Sequence, residues 1–267
     1  MISYVTRNYN PVTGCTPVGD ACLNCWAAAT ARRFPKTHGG RRSECPCPEG
    51  REAYCGDYGC PPVPFSEIVL HPDRLDAPFR WRKPSVVAVC FMGDLWHPDV
   101  PDEFIDRVMF PVRVLDVDIA WLLLTKRPER MRDYFFSRRD PPIANQIWLG
   151  FSAWNQRSFD AGVRVLRQTP AAHRWVSLEP LLGPVDVGDL SGIDWVVAGC
   201  ESGPGRRPAP LEWFANVQRQ CIEAKVPVYV KQMGLRSDGT DRVVHRRVEA
   251  LELEFPPEIW RVLGRGR

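Results

Sequence analysis

Cys15, Cys22 and Cys25 fall in one short segment, Gly14-Cys-Thr-Pro-Val-Gly-Asp-Ala-Cys-Leu-Asn-Cys-Trp26, directly ahead of a helix-like run. A closed structural metal site takes four protein ligands, whereas a catalytic one keeps a position open. Three thiolates therefore have two readings. One is an iron–sulfur cluster with one iron left for a non-protein ligand. The other is half of a structural zinc site completed by a distant Cys or His. A second group, Cys45, Cys47, Cys55 and Cys60, spans sixteen residues of a Pro- and Gly-rich stretch without periodicity. Such a segment has no core of its own, and a closed tetrahedral zinc would supply its folding energy. Ligand count and softness put zinc ahead of an auxiliary iron–sulfur cluster there. Cys90 and Cys221 read as small buried hydrophobes.

The elements that must position the triad repeat one pattern from Ser85 onward. Short apolar runs at 86–90, 119–124, 147–150, 174–176, 195–198 and 226–230 each end in polar or glycine-rich residues. Their near-continuous apolarity suits strands buried on both faces. Between them lie helix candidates. At 102–114, Phe104, Ile105, Val108, Met109 and Val112 form one stripe behind Pro101, and Pro111 is expected to kink or end it. At 157–168 the stripe is Phe159, Val163 and Leu166; at 211–225 it is Leu211, Phe214, Val217, Cys221 and Ile222. Six βα-type units and an opening strand near 3–9 predict an α/β fold, a partial or irregular (β/α) barrel of six or seven units. An open doubly wound sheet is the runner-up, although no Gly-x-Gly-x-x-Gly follows the first strand. The expected organisation is a (β/α) domain over 1–235 with the Cys-rich loop inserted at 35–64. A charged extension follows at 236–267, with a helix or strand around 243–255.

In a (β/α) barrel the C-terminal strand ends meet at one rim, where active sites are built. The ends here deliver Met92, Gly93, Asp94 and His97, then Lys126 and Arg127, then Ser152 and Asn155. Ser177 and Glu179 follow, then Gly199 and Glu201, then Lys231 and Gln232. The Cys15 loop follows the opening strand and is expected to face the same rim. Lys126, Arg127 and Lys231 are the candidate substrate contacts, and Met92, Gly93, Asp94, Asn155, Ser177, Glu179, Gly199 and Glu201 the candidate cofactor contacts. A cubane cluster on Cys15, Cys22 and Cys25 would leave an iron able to chelate the amino and carboxylate groups of S-adenosylmethionine, with Trp26 as an aromatic shield. His97 reads equally as a hydrogen-bonded loop residue and as a ligand.

Seven motifs carry a family resemblance in chain order. They are Asn10-Pro-Val-Thr-Gly-Cys15, Cys22-Leu-Asn-Cys-Trp26, Gly93-Asp-Leu-Trp-His97, Leu124-Thr-Lys-Arg-Pro-Glu-Arg130, Ser177-Leu-Glu-Pro-Leu-Leu-Gly-Pro184, Gly199-Cys-Glu-Ser-Gly-Pro-Gly205 and Lys231-Gln-Met-Gly234. With these the chain resembles an uncharacterised bacteriophage and bacterial family regarded as radical-SAM-like. The resemblance implies a [4Fe–4S] cluster, S-adenosylmethionine and an electron donor such as a flavodoxin or ferredoxin. The cysteine spacing here, six residues then two, is wider than the three-then-two commonest in radical SAM enzymes.

The 267 residues are 44% hydrophobic and 25% charged, as in an ordinary globular protein. No apolar run is long enough to span a bilayer and the N-terminus does not read as a signal peptide, so no membrane partner is expected. Ten cysteines without an export signal point to ligation in a reducing cytoplasm, a host's if the chain is phage-encoded. A net charge of +3 is too small to indicate nucleic-acid binding by itself. Local features favour a nucleic-acid base or nucleotide as substrate: Lys126, Arg127, Arg206 and Arg207 for phosphate, and Trp96 and Trp154 for stacking. The leading expectation is a radical S-adenosylmethionine enzyme. The alternative is a non-catalytic, zinc-stabilised nucleic-acid-binding phage protein.

Overall fold

The computed structural model describes residues 2–39, 62–115, 118–138, 145–202, 205–233, 255–257 and 259. Cys45, Cys47, Cys55 and Cys60 lie outside them, as does most of the C-terminal extension.

Strand β1 (Arg7–Tyr9) runs almost directly into β2 (Val12–Thr13); helix α1 (Trp26–Arg33) follows, and β3 (Val69–Leu70) pairs antiparallel with β2. The chain then alternates β4 (Ser85–Val89), α2 (Asp102–Val114), β5 (Ile119–Thr125), α3 (Pro128–Ser137), β6 (Ile147–Ser152), α4 (Gln156–Gln168) and β7 (His173–Leu178). It closes with β8 (Trp195–Gly199), α5 (Leu211–Glu223) and β9 (Val228–Gln232). The main sheet is β1-β4-β5-β6-β7-β8-β9, every pair parallel. Strand order never reverses, so there is no switch point of a doubly wound sheet. Each crossover instead advances one strand, and the sheet curls into a half-barrel. The segment before β1 reaches across to the last strands. Ser3 Oγ lies 2.5 Å from the Tyr229 hydroxyl, and the Tyr4 ring packs edge-on against Trp195 and Tyr229 at 5.4 and 5.6 Å.

Alternation along the strands sorts the side chains. Val87, Val89, Trp121, Leu123, Leu149, Phe151, Val176 and Val196 pack with the apolar stripes of α2 to α5 in the larger core. Val86, Ala88, Leu122, Trp148, Trp175, Trp195 and Tyr229 face inward and fill the half-barrel together with Tyr4, Phe255 and Ile259. Gly150 makes this filling possible, because a Cβ there would lie 2.4 Å from Trp175 Nε1. That indole donates to the Leu123 and Trp148 carbonyls at 3.2 and 3.3 Å. Phe255 lies 4.8 Å from the Tyr229 ring and 5.9 Å from Trp195, so this part of the extension is packed into the inner core.

The structure departs from the expected elements in instructive places. The β7–β8 connection, 179–194, has no helix where a βα unit was expected; it is a chain of turns and extended segments rich in Pro and Gly. Helix α3 forms where only strand-end residues were foreseen, opened by Pro128 and anchored by Met131, Tyr134 and Phe135. Pro111 neither ends nor shortens α2; it falls in the last turn, where few backbone bonds remain to be lost. Strands β5 to β9 run past their apolar stretches into Thr125, Ser152, Leu178, Gly199 and Gln232. Pairing there continues because the inward polar groups line a cavity rather than meet a core.

A buried trio staples the β2–β3 ribbon beneath the cysteine loop. His38 Nε2 lies 2.9 Å from the Pro64 carbonyl, which only accepts, so His38 Nδ1 must accept from the Thr13 hydroxyl at 2.8 Å. Thr13 Oγ1 then accepts from His71 Nε2 at 2.8 Å. Burial, and secondarily the Arg74 charge, lower the His71 pKa to about 4. Because the unfolded state binds this proton near pH 6.5, stability should fall as pH drops from 6.5 toward 4, by roughly 1–3 kcal/mol. Urea midpoints at pH 7 and pH 4.5 check this. In His71→Gln the drop should shrink; an unchanged pH profile would remove His71 as its source.

Candidate functional site

The cysteine loop is aimed at the rim by one glycine. Gly14 adopts φ of +92°, and a Cβ on it would lie 2.2 Å from the Glu67 carbonyl oxygen. Its N–H donates to the Met92 carbonyl at 3.0 Å, and the next N–H, of Cys15, donates to Phe65 O at 2.8 Å. Gly93 lies against it so closely that a Cβ would meet Gly14 O at 2.8 Å. Cys15 leaves this turn, Cys22 ends a single 3-10 turn (Asp20–Cys22), and Cys25 caps α1 without spending its thiol on the cap. All three line one open cavity at the C-terminal end of the half-barrel, with Asp94, Lys126, Arg127, Ser152, Ser177, Glu179, Glu201 and Lys231. The cavity volume is about 170 Å³, and its mouth opens to solvent.

On the barrel side the polar groups form a connected set. Glu179 Oε1 pairs with Lys231 Nζ at 2.8 Å, and Oε2 accepts from Ser177 Oγ at 3.0 Å and from the Tyr4 hydroxyl at 3.2 Å. Burial, reinforced by the Glu179 carboxylate, raises the Tyr4 pKa well above its ordinary value, so the phenol stays a donor. Gly199 leaves room for this carboxylate: a Cβ there would lie 3.0 Å from Glu179 Oε1. Lys126 Nζ donates to Ser152 Oγ at 2.9 Å, and that hydroxyl donates to the Glu179 carbonyl at 3.0 Å. No ion pair neutralises Lys126 among the described residues, so its half-buried ammonium gives the cavity an uncompensated positive charge.

On the cysteine side Asp94 is the hub, with a side chain only 5% exposed. It accepts from Thr125 Oγ1 at 2.8 and 2.9 Å, from Trp96 N at 3.1 Å and from Arg127 Nη1 at 3.0 Å. Arg127 continues into the loop, donating to Cys15 Sγ at 3.3 Å and to Thr16 O and Oγ1 at 2.9 and 3.0 Å. His97 completes this corner. Its Nδ1 accepts from Asp99 N at 3.2 Å, which leaves Nε2–H to meet Thr16 Oγ1 at 2.7 Å. It is therefore a loop-fastening residue. Burial, then the Asp94 charge, push the Cys15 thiol up to about 11 against the opposing pull of Arg127. Metal uptake at Cys15 must then expel a proton.

Several expected site residues sit elsewhere. Asn155 caps α4 in a reciprocal pair with Ser158 at 3.0 Å and does not line the cavity. The Met92 side chain packs with Ala27 and Ala31 of α1, and its carbonyl holds Gly14. Glu201 lines the cavity, yet its carboxylate is bound by Asn24 Nδ2 at 2.9 Å, by Arg207 N at 2.7 Å and by the Arg207 guanidinium. Trp96 is completely buried beside Phe135 and cannot stack on a ligand, and Trp154 lies against Gly19 of the cysteine loop. Trp26 stands at the cavity wall 41% exposed, a partial screen rather than a cover. Tyr4 and Asn24 are not among the expected site residues; each comes from a position whose residue type is ordinary and whose partners are distant in sequence.

The three cysteines supply free thiols, the donor type that both iron–sulfur clusters and zinc take. Among the described residues no three His, Cys, Asp or Glu side chains are grouped as one ion requires. No helix among the described residues is long and apolar enough to cross a membrane.

The family described as "Protein of unknown function (DUF5131)" matches residues 1–260. The chain belongs to this family. The match in DUF5131 covers the half-barrel, the cysteine loop and most of the extension together. No curated protein and no solved structure matches the chain.

Proposed function

We propose that this DUF5131 member is a radical S-adenosylmethionine enzyme acting on a nucleic-acid base or nucleotide. Cys15, Cys22 and Cys25 would hold a [4Fe–4S] cluster. When bound and reduced, such a cluster supplies one electron to S-adenosylmethionine, which breaks into methionine and a 5′-deoxyadenosyl radical. The observation that carries the reading is the shared cavity: three thiols on one wall and the polar ends of β5, β6, β7 and β9 on the other.

This chain's own residues have separable tasks. Lys126, which no carboxylate pairs among the described residues, offers a cation to an anionic group, a phosphate or a carboxylate. Glu179 is held by Lys231, Ser177 and Tyr4 as an acceptor for an amino or ring N–H group. Phe91 lines the cavity and lies stacked over Trp175 at 6.4 Å, a rigid apolar face suited to a planar ring. Phe65, Leu124 and Ile2 add apolar lining that limits water at the reacting atoms.

Purification without oxygen and iron, sulfide and zinc analysis test the cluster. Comparing nucleosides digested from DNA and RNA of cells with and without the active chain tests the substrate. Iron and sulfide with a new modified nucleoside support the proposal. A colourless protein with stoichiometric zinc overturns the first part, and unchanged nucleosides together with unchanged free nucleotides overturn the second.

A further inference from the structure

Two ion pairs grip the cysteine loop at two points, and they differ in what they touch. At its start, Arg127, 13% exposed and paired with Asp94, reaches the Cys15 sulfur and both oxygens of Thr16. In its middle, Arg207 is paired with Glu201 and donates from Nη2 to Asp20 O at 2.7 Å. Glu201 in turn receives Asn24 Nδ2, which also donates to Gly205 O at 3.1 Å. Both acids are almost wholly buried, and both arginines come from loops following strands of the half-barrel, β5 and β8. Burial raises the Glu201 pKa, but the Arg207 hydrogen bonds outweigh it, so the carboxyl is held below its ordinary value and the pair stays charged. Trp154 fills the space over Gly19, midway along the loop, where a Cβ would lie 2.8 Å from its ring.

Resting on the cluster reading above, we propose that Arg127 and Arg207 are positioning residues that preform the cysteine loop before any metal arrives, and that Arg127 alone also sets the reduction potential of the cluster held there. The two roles separate by contact. Both arginines fix loop backbone through charge-assisted bonds, which are roughly twice as strong as neutral ones. Only Arg127 donates to a ligand sulfur. A cationic N–H on a thiolate ligand stabilises the added negative charge of the reduced form and raises the potential. Arg207 touches carbonyl and carboxylate oxygens and leaves the sulfurs alone.

Arg127→Lys and Arg207→Lys test this in the full chain, since lysine keeps each buried acid neutralised but cannot span both the acid and the loop. In the metal-free protein both variants should speed amide hydrogen exchange across residues 16–25 by tenfold or more. In the iron-loaded protein Arg127→Lys should lower the midpoint potential measured by redox titration of the cluster's electron-spin signal. The expected shift corresponds to about a tenfold change in the oxidised-to-reduced ratio at fixed potential, about 59 mV for one electron. Arg207→Lys should leave the potential where it is. Unchanged exchange in both variants overturns the preformed loop. Equal potentials in wild type and Arg127→Lys, or equal shifts in both variants, overturn the assignment to Arg127. If the wild-type chain binds no iron, the cluster reading fails and takes the potential claim with it, while exchange in the metal-free protein still decides the role of the clasps.

Discussion

Cys22→Ala is expected to abolish cluster-dependent cleavage of S-adenosylmethionine while leaving the fold standing. The Cys22 side chain is half-buried in a 3-10 turn whose backbone bonds, Cys22 N to Gly19 O at 3.0 Å and Leu23 N to Asp20 O at 3.2 Å, do not need the thiol. Its thiol makes no hydrogen bond among the described residues, so truncation should change stability by no more than about 0.5 kcal/mol. Losing one of three ligands should instead deplete the bound iron and remove 5′-deoxyadenosine formation. Cys221→Ala is the matched control. That thiol is fully buried on α5 among apolar neighbours, so its loss should cost about 1 kcal/mol through a small cavity and leave iron content alone. Equal iron loss in both variants would show that general damage, and not ligation, is being measured.

The largest expected stability effect is at Asp94→Ala. This carboxylate is buried, is bound by Thr125, Arg127 and the backbone of Trp96, and ties β5 to the loop after β4. Its removal strands the Arg127 guanidinium, itself largely buried, next to a thiol and a hydroxyl that cannot neutralise it. Breaking a buried pair from one side costs about 3–5 kcal/mol, more than the pair's net worth, because the remaining charge is left uncompensated. Asp94→Asn, which keeps an acceptor for Thr125, should cost less, and Asp94→Ala with Arg127→Met should recover part of the loss. Urea unfolding of the three variants measures this. A single variant within about 0.5 kcal/mol of wild type, or a double variant that loses the sum of both changes, would contradict the hub.

Much of the scaffold was legible because it rests on periodicity. The apolar runs located β4 to β9, and the stripe from Phe104 to Val112 located α2 with its bounds. Apolarity stops short of the strand ends because the cavity begins there, although backbone pairing carries on through Ser152 and, past an irregularity at Lys231, to Gln232. Helix α3 has its signals, Pro128 at the start and Met131, Tyr134 and Phe135 on one face, but the stripe is short and no helix is expected there from the sequence. Asn155 likewise carries a signal, since its spacing to Ser158 is that of a capping pair. The clasps were not legible. Arg127 meets Thr16 across 111 residues and Arg207 meets Asp20 across 187, and nothing in residue type encodes those partners. Trp96 shows the converse: an aromatic beside polar strand ends suggested stacking on a ligand, yet its neighbours Leu95, Val100 and Phe135 enclose it completely.

The central claim is that the three-cysteine wall and the polar strand ends form one reaction site. Its most direct test is to reconstitute the full chain with iron and sulfide under anaerobic conditions, reduce it with dithionite in the presence of S-adenosylmethionine, and quantify 5′-deoxyadenosine and methionine. Wild type should form the two products in equal amounts, and Cys22→Ala should form neither. Iron-loaded protein that forms no 5′-deoxyadenosine, or cleavage that persists unchanged without Cys22, would contradict that claim.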